Sequence, residues 1–206
     1  MNASELKEEG IRHIDRLLGP KGWTRVGRET KFCRRGAPGI EVRFNYRFDL
    51  RDRPALVTVT PYVEIVHDEI EEFRRLITGK PLYTINAQIQ KLMGDSRAHY
   101  RWIFEDGIDP EQPARRLVAD SLDYGVPFSE QFQNLADITK GLERLATGKR
   151  TIMRESLAIA YCLQGQLDKA ALVLSDDIEA AKSNPRDIAH EQLPKYAEIF
   201  GVPVSV

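Results

Sequence analysis

The sequence predicts an α+β fold in which an antiparallel meander is packed by helices and followed by an all-helical C-terminal segment. Three observations carry this. IEVRFNYRF (40–48) alternates strictly, with Ile40, Val42, Phe44, Tyr46 and Phe48 on one side and Glu41, Arg43, Asn45 and Arg47 on the other, as in a half-buried strand. ALVTVTPYVEIV (55–66) continues in β-branched residues across a short polar connection. From Asp68 onward the apolar period lengthens toward that of a helix, and from Asp109 to the end helical patterns dominate.

The elements follow in order. Asn2 and Glu5 have the spacing of a capping box, and Leu6, Ile11, Ile14, Leu17 and Leu18 share a helical face that ends at Gly19-Pro20. WTRVGRETKFCRR gives two short strands around Gly27-Arg28-Glu29, and APG (37–39) is a turn. DLRDRP (49–54) is predicted as the turn between the two long strands, with Pro61 placing the second strand at an edge or bulge. DEIEEFRRLITG is a helix whose stripe is Ile70, Phe73, Leu76 and Ile77, with acids in its first turn and Arg74 and Arg75 near its end, as the helix dipole favours. Residues 82–93 fit either period and are assigned to a strand; HYRWIFE (99–105) is another. Asp109-Pro110 opens a helix, and Phe132, Leu135, Ile138, Leu142 and Leu145 mark a further one over SEQFQNLADITKGLERL. A joint at residues 147–150 divides the chain into an α+β domain, 1–146, and a helical extension, 147–206, expected to pack on it.

Composition excludes several classes. With 206 residues, 42% hydrophobic and 30% charged, the chain is globular rather than disordered. No apolar run reaches the ~18 residues of a membrane span, and the amphipathic N-terminus lacks the order of a signal peptide. Cys33 and Cys162 stand far apart with no metal-ligand spacing, so reduced, buried thiols in a cytoplasmic protein are expected. There is no phosphate-binding glycine loop and no nucleophile elbow. No cofactor is therefore expected, and no catalytic residue is named.

The net charge of −1 conceals an asymmetry. Residues 25–53 hold nine Lys and Arg against four acids, whereas residues 67–206 hold 17 against 22. Lys31, Arg34, Arg35, Arg43 and Arg47 are the candidate partner-binding residues, on the face of the sheet opposite the aromatic core. Arginine's planar fork suits carboxylates and phosphates. Arg43 and Arg47, four residues apart on a strand, are separated by ~13 Å, the scale of an extended acidic surface rather than one small anion. An acidic protein is the expected partner and nucleic acid the alternative. In that alternative a metal is held by Glu64, His67 and Asp68, against the simpler reading of HDEIEE as a helix start that collects acids.

Two resemblances add to this. LAIAYCLQGQLDKAALVL (157–174) resembles a single tetratricopeptide-type hairpin, with Leu157, Ala158, Ala160, Tyr161, Gly165, Leu167 and Ala170 at the packing positions. It departs from the repeat at Asp177 and in the late Pro185, and one unit does not make an array. The order of an N-terminal helix, a Gly22-Trp23 entry to the first strand, a meander and the HYRWIFE strand looks like small bacterial domains found beside polymorphic toxins. That resemblance implies an immunity or accessory protein and transfers no functional residues.

Overall fold

The alternation at 40–48 fixes a strand, and the sheet is built outward from it. The computed structural model describes residues 1–52, 55–79, 82–94, 101–146 and 152–182, with Lys195, Glu198, Ile199 and Gly201. The class is α+β: a curled antiparallel sheet with helices, the described elements after the last strand all being helical. The chain divides into two compact units, one of Met1–Gly36, Glu41–Ile65 and Asn86–Gln131, the other of Ala37–Ile40, Val66–Ile85 and Phe132–Val206.

In the first unit, α1 (Ala3–Leu18) begins at the expected capping box: Asn2 accepts from the Glu5 amide and Glu5 returns a carboxylate to the Asn2 amide, both at 2.9 Å. Gly10 shares its buried face because a Cβ there would stand 3.0 Å from the Phe104 ring. The sheet runs β1 (Thr24–Arg25), β2 (Lys31–Arg35), β3 (Ile40–Asp52), β4 (Ala55–His67), β5 (Ile85–Gln88), with β6 (Trp102–Glu105) also on β4. Strand β3 extends to Asp52, so residues 49–52 are strand rather than turn; Arg53 and Pro54 lie outside the described residues. Pro61 sits in an interior strand, not at an edge. Among the described residues the β4–β6 register runs from Leu56 to Val59 and does not reach it.

The sheet's aromatic face is the core of this unit. Trp23 stacks on Phe44 with ring centroids 4.1 Å apart, and Phe32 meets Tyr46 edge-on at 5.8 Å. Against it lies a helical run of α4 (Glu111–Asp120), a π-helical turn (Ser121–Gly125) and α5 (Val126–Ser129). Asp109 caps this run by accepting from the Glu111 amide, one residue earlier than the helix proper. The π turn precedes Pro127, which has no N–H to send back to Asp123. It places Ser121 beneath the Tyr46 hydroxyl (3.2 Å) and Gly125 where a Cβ would lie 2.6 Å from Phe44.

The assignment of 82–93 to a strand holds for only its first half. Ile85–Gln88 is β5, and Ile89–Leu92 is a single helical turn, α3. Of HYRWIFE, β6 accounts for Trp102–Glu105; residues 99 and 100 lie outside the described residues.

In the second unit, α2 (Asp68–Thr78) packs on α7 (Ile152–Leu163). Its buried stripe is turned from expectation. Leu76 is exposed while Arg74, four residues after buried Ile70, is inside. Arg74 donates to the carbonyls of Tyr83 (2.7 Å) and Ile152 (2.9 Å) and to the Ser156 hydroxyl. The helix predicted across 129–145 is broken: α6 (Leu135–Leu145) starts afresh, because the Asn134 side chain accepts from the Asp137 amide. Phe132, outside that helix, fills the space above Gly141. Helices α7 and α8 (Leu167–Lys182) form a hairpin turned at Gly165 (φ 71°), with Ala158, Ala160 and Ala170 buried. Leu167 is exposed.

Candidate functional site

Antiparallel register decides which side chains share the face opposite the aromatics. Directly opposed residues point the same way, and β2 meets β3 as Lys31–Asn45, Cys33–Arg43 and Arg35–Glu41, alternating with Phe32–Phe44 and Arg34–Val42. Lys31, Arg35, Arg43 and Arg47 therefore lie on one outer face. Arg34 does not: it shares the aromatic face with Val42, and its guanidinium sits 4.9 Å from the centre of the Trp23 ring. Expectation placed it with the others because basic residues at 34 and 35 look alike in sequence, yet neighbours on a strand point to opposite faces.

The outer face is more mixed in charge than its arginines suggest. Arg43 Nε donates to Glu41 at 2.5 Å, and Lys31 pairs with Glu29 at 3.0 Å. Asn45 donates to the Glu64 carboxylate at 2.8 Å, and Gln88 to the Tyr62 hydroxyl at 3.0 Å, so the polar row continues from β3 through β4 to β5. Glu64 is 5% exposed. Arg35 and Arg47 are exposed on the same face, Arg35 across from Glu41 and Arg47 further along β3. Between them, Cys33 is half-buried, and its thiol is pushed above the usual range by burial first and by Glu41 second. Ile103, opposite Thr58, adds an exposed apolar side chain to the same face.

The alternative metal set does not assemble. Among the described residues no three His, Cys, Asp or Glu side chains are grouped to hold a metal ion. Glu64 is engaged by Asn45, and Asp68 is exposed at the start of α2. His67 is buried at the N-cap of that helix, its amide donating to Thr84 at 2.9 Å. Burial holds the His67 imidazole below its ordinary value of 6.5, partly opposed by Glu69 and Asp68. Cys162 is half-buried as well, and burial pushes its thiol up to about 11.

Sequence reasoning set Glu41 and Asn45 on the face of Arg43 and Arg47 but missed Tyr62 and Glu64 as members of the row. One signal was available: Glu64 is the single charged residue within the apolar run VEIV. No helix among the described residues is long and apolar enough to cross a membrane. No protein-family model, curated protein or solved structure matches the chain.

Proposed function

We propose that the chain is a non-enzymatic, cytoplasmic protein-binding module, of the immunity or accessory type its element order resembles, and that it takes an acidic protein on the outer face of the sheet. The observation that carries this is the spacing of the two exposed guanidiniums. Arg35 lies across from Glu41, and Arg47 is six residues further along β3, a separation of ~20 Å at ~3.3 Å per residue. Between them lie the Arg43–Glu41 and Lys31–Glu29 pairs, with amide and hydroxyl groups filling the row.

A partner with carboxylates at that spacing, and polar groups between, complements such a row. A polyphosphate backbone fits it less well, since Glu41, Glu64 and Asp49 interrupt the positive charge. The aromatic rings that could stack on bases are turned into the core instead.

The test is affinity capture at physiological salt after nuclease treatment, followed by reconstitution with the purified partner. An Arg35→Glu/Arg47→Glu variant is expected to lose a stoichiometric partner that wild type retains. Equal capture by both forms, or recovery of nucleic acid alone before nuclease treatment, would overturn the reading.

A further inference from the structure

The outer end of β3 has an edge that β2 leaves open. Strand β3 runs from Ile40 to Asp52, but its register with β2 covers only Glu41 to Asn45. The last backbone bond on that edge is from the Tyr46 amide to the Thr30 carbonyl, 3.0 Å. Within a strand the N–H and C=O of one residue point to the same edge and those of the next residue to the other. Phe48 and Leu50 therefore direct their backbone groups to the same side as Tyr46. Among the described residues no backbone partner meets them there. Asp49, Leu50 and Arg51 are exposed in succession, Leu50 by 45%, and neither Asp49 nor Arg51 makes an ion pair among the described residues.

We propose that this edge pairs with the same edge of a second copy, antiparallel about a two-fold axis at Leu50. The local sequence is what selects a second copy. An acid precedes Leu50 and an arginine follows it, so the two-fold sets Asp49 of each copy against Arg51 of the other. Leu50 faces Leu50 as a hydrogen-bonded pair, each donating its N–H to the other's C=O. Neighbouring registers fail. A two-fold at Asp49 opposes Asp49 to Asp49 at the axis itself. A two-fold at Phe48 would match Arg47 with Asp49, but it brings Leu50 opposite Tyr46, whose amide already serves Thr30. An unpaired strand edge is a template for such pairing. A contact of a few residues is small beside the ~1,600 Å² of a standard interface, so the dimer is weak and concentration-dependent.

Sedimentation equilibrium of the full chain over a range of concentrations tests this, with Asp49→Arg, Arg51→Asp and the double exchange D49R/R51D. Each single change turns both symmetric pairs repulsive and is expected to weaken association about tenfold; the double exchange restores it. The sites are exposed, and far-UV circular dichroism confirms that each variant is folded. Three results would overturn the proposal: a wild type monomeric at every concentration, a dimer the single changes leave intact, or a double exchange as weak as either single. Arg35 and Arg47 are untouched, so the outcome is separate from partner capture.

Discussion

The two units solve the problem of a buried interior in different ways. In the first, the sheet contributes a stack of rings, Trp23 on Phe44 with Phe32 and Tyr46 beside them, and the polar groups are held on the opposite face. In the second, the largest fully buried side chain on α2 is an arginine, held by two carbonyls and a hydroxyl from two other segments. The first arrangement depends on shape, the second on directed hydrogen bonds from the two terminal guanidinium nitrogens. Non-directional packing tolerates a near fit; a buried cation does not.

Substituting Arg74 with methionine probes that difference most strongly. It retains much of the volume but takes the guanidinium donor from the Tyr83 carbonyl, while the Ile152 carbonyl keeps the Ser156 hydroxyl. A loss of ~3 kcal/mol is expected, the upper end of the ~1–3 kcal/mol for one orphaned buried group, read from the midpoint of urea unfolding. A change below ~1 kcal/mol would mean that the arginine is dispensable and the contrast between the units is false.

A matched pair of glycines sharpens the comparison at a smaller scale. Gly125→Ala drives a methyl against Phe44 and Ile89 in the first unit; Gly141→Ala drives one against Phe132 in the second. Each is expected to cost ~1–3 kcal/mol through overpacking. Trp23 fluorescence should report the first change, because Trp23 lies on Phe44, and be little altered by the second. Equal spectral changes in both variants would break the assignment of the rings to one unit.

The smallest effect expected is acid sensitivity through His67. Its folded-state pKa is depressed by burial below 6.5. Below pH 6.5 the unfolded chain takes up a proton that the folded chain does not, so stability present above that pH is lost as pH falls toward the folded value. Thermal midpoints of wild type should fall more steeply than those of His67→Asn over that window. Parallel profiles would remove His67 from the account.

Much of this was legible in the sequence because it follows from period. The capping box of α1, the alternation of β3 and the turn at Gly39 need only local geometry. What was not legible depends on phase set from elsewhere. Arg34 and Arg35 could not be assigned to faces until the register with β3 was known. The apolar stripe drawn from Phe132 to Leu145 hid the helix start at Asn134, although Asn134 with Asp137 three residues on is itself a start signal. Arg74 was placed at the helix end for its charge, while its spacing from Ile70 marked it as inward-facing. In the sheet the row of arginines was visible, but the acids that neutralise its middle came partly from β4, and no one-strand pattern includes them.

The wide turn at Ser121–Gly125 has a consequence for how the chain around it tolerates change. Its residues bond in a wider ladder than the helices on either side, yet the stretch from Glu111 to Ser129 keeps one inward face. Ala114, Leu117, Val118, Ser121, Gly125, Phe128 and Ser129 are its buried positions, and at ~100° per residue they fall within about 120° of one another. A single helical wheel therefore assigns the whole stretch. A map of permitted substitutions in this segment will carry one restricted face straight through the turn, with Ser121 and Gly125 held small where the sheet's rings approach.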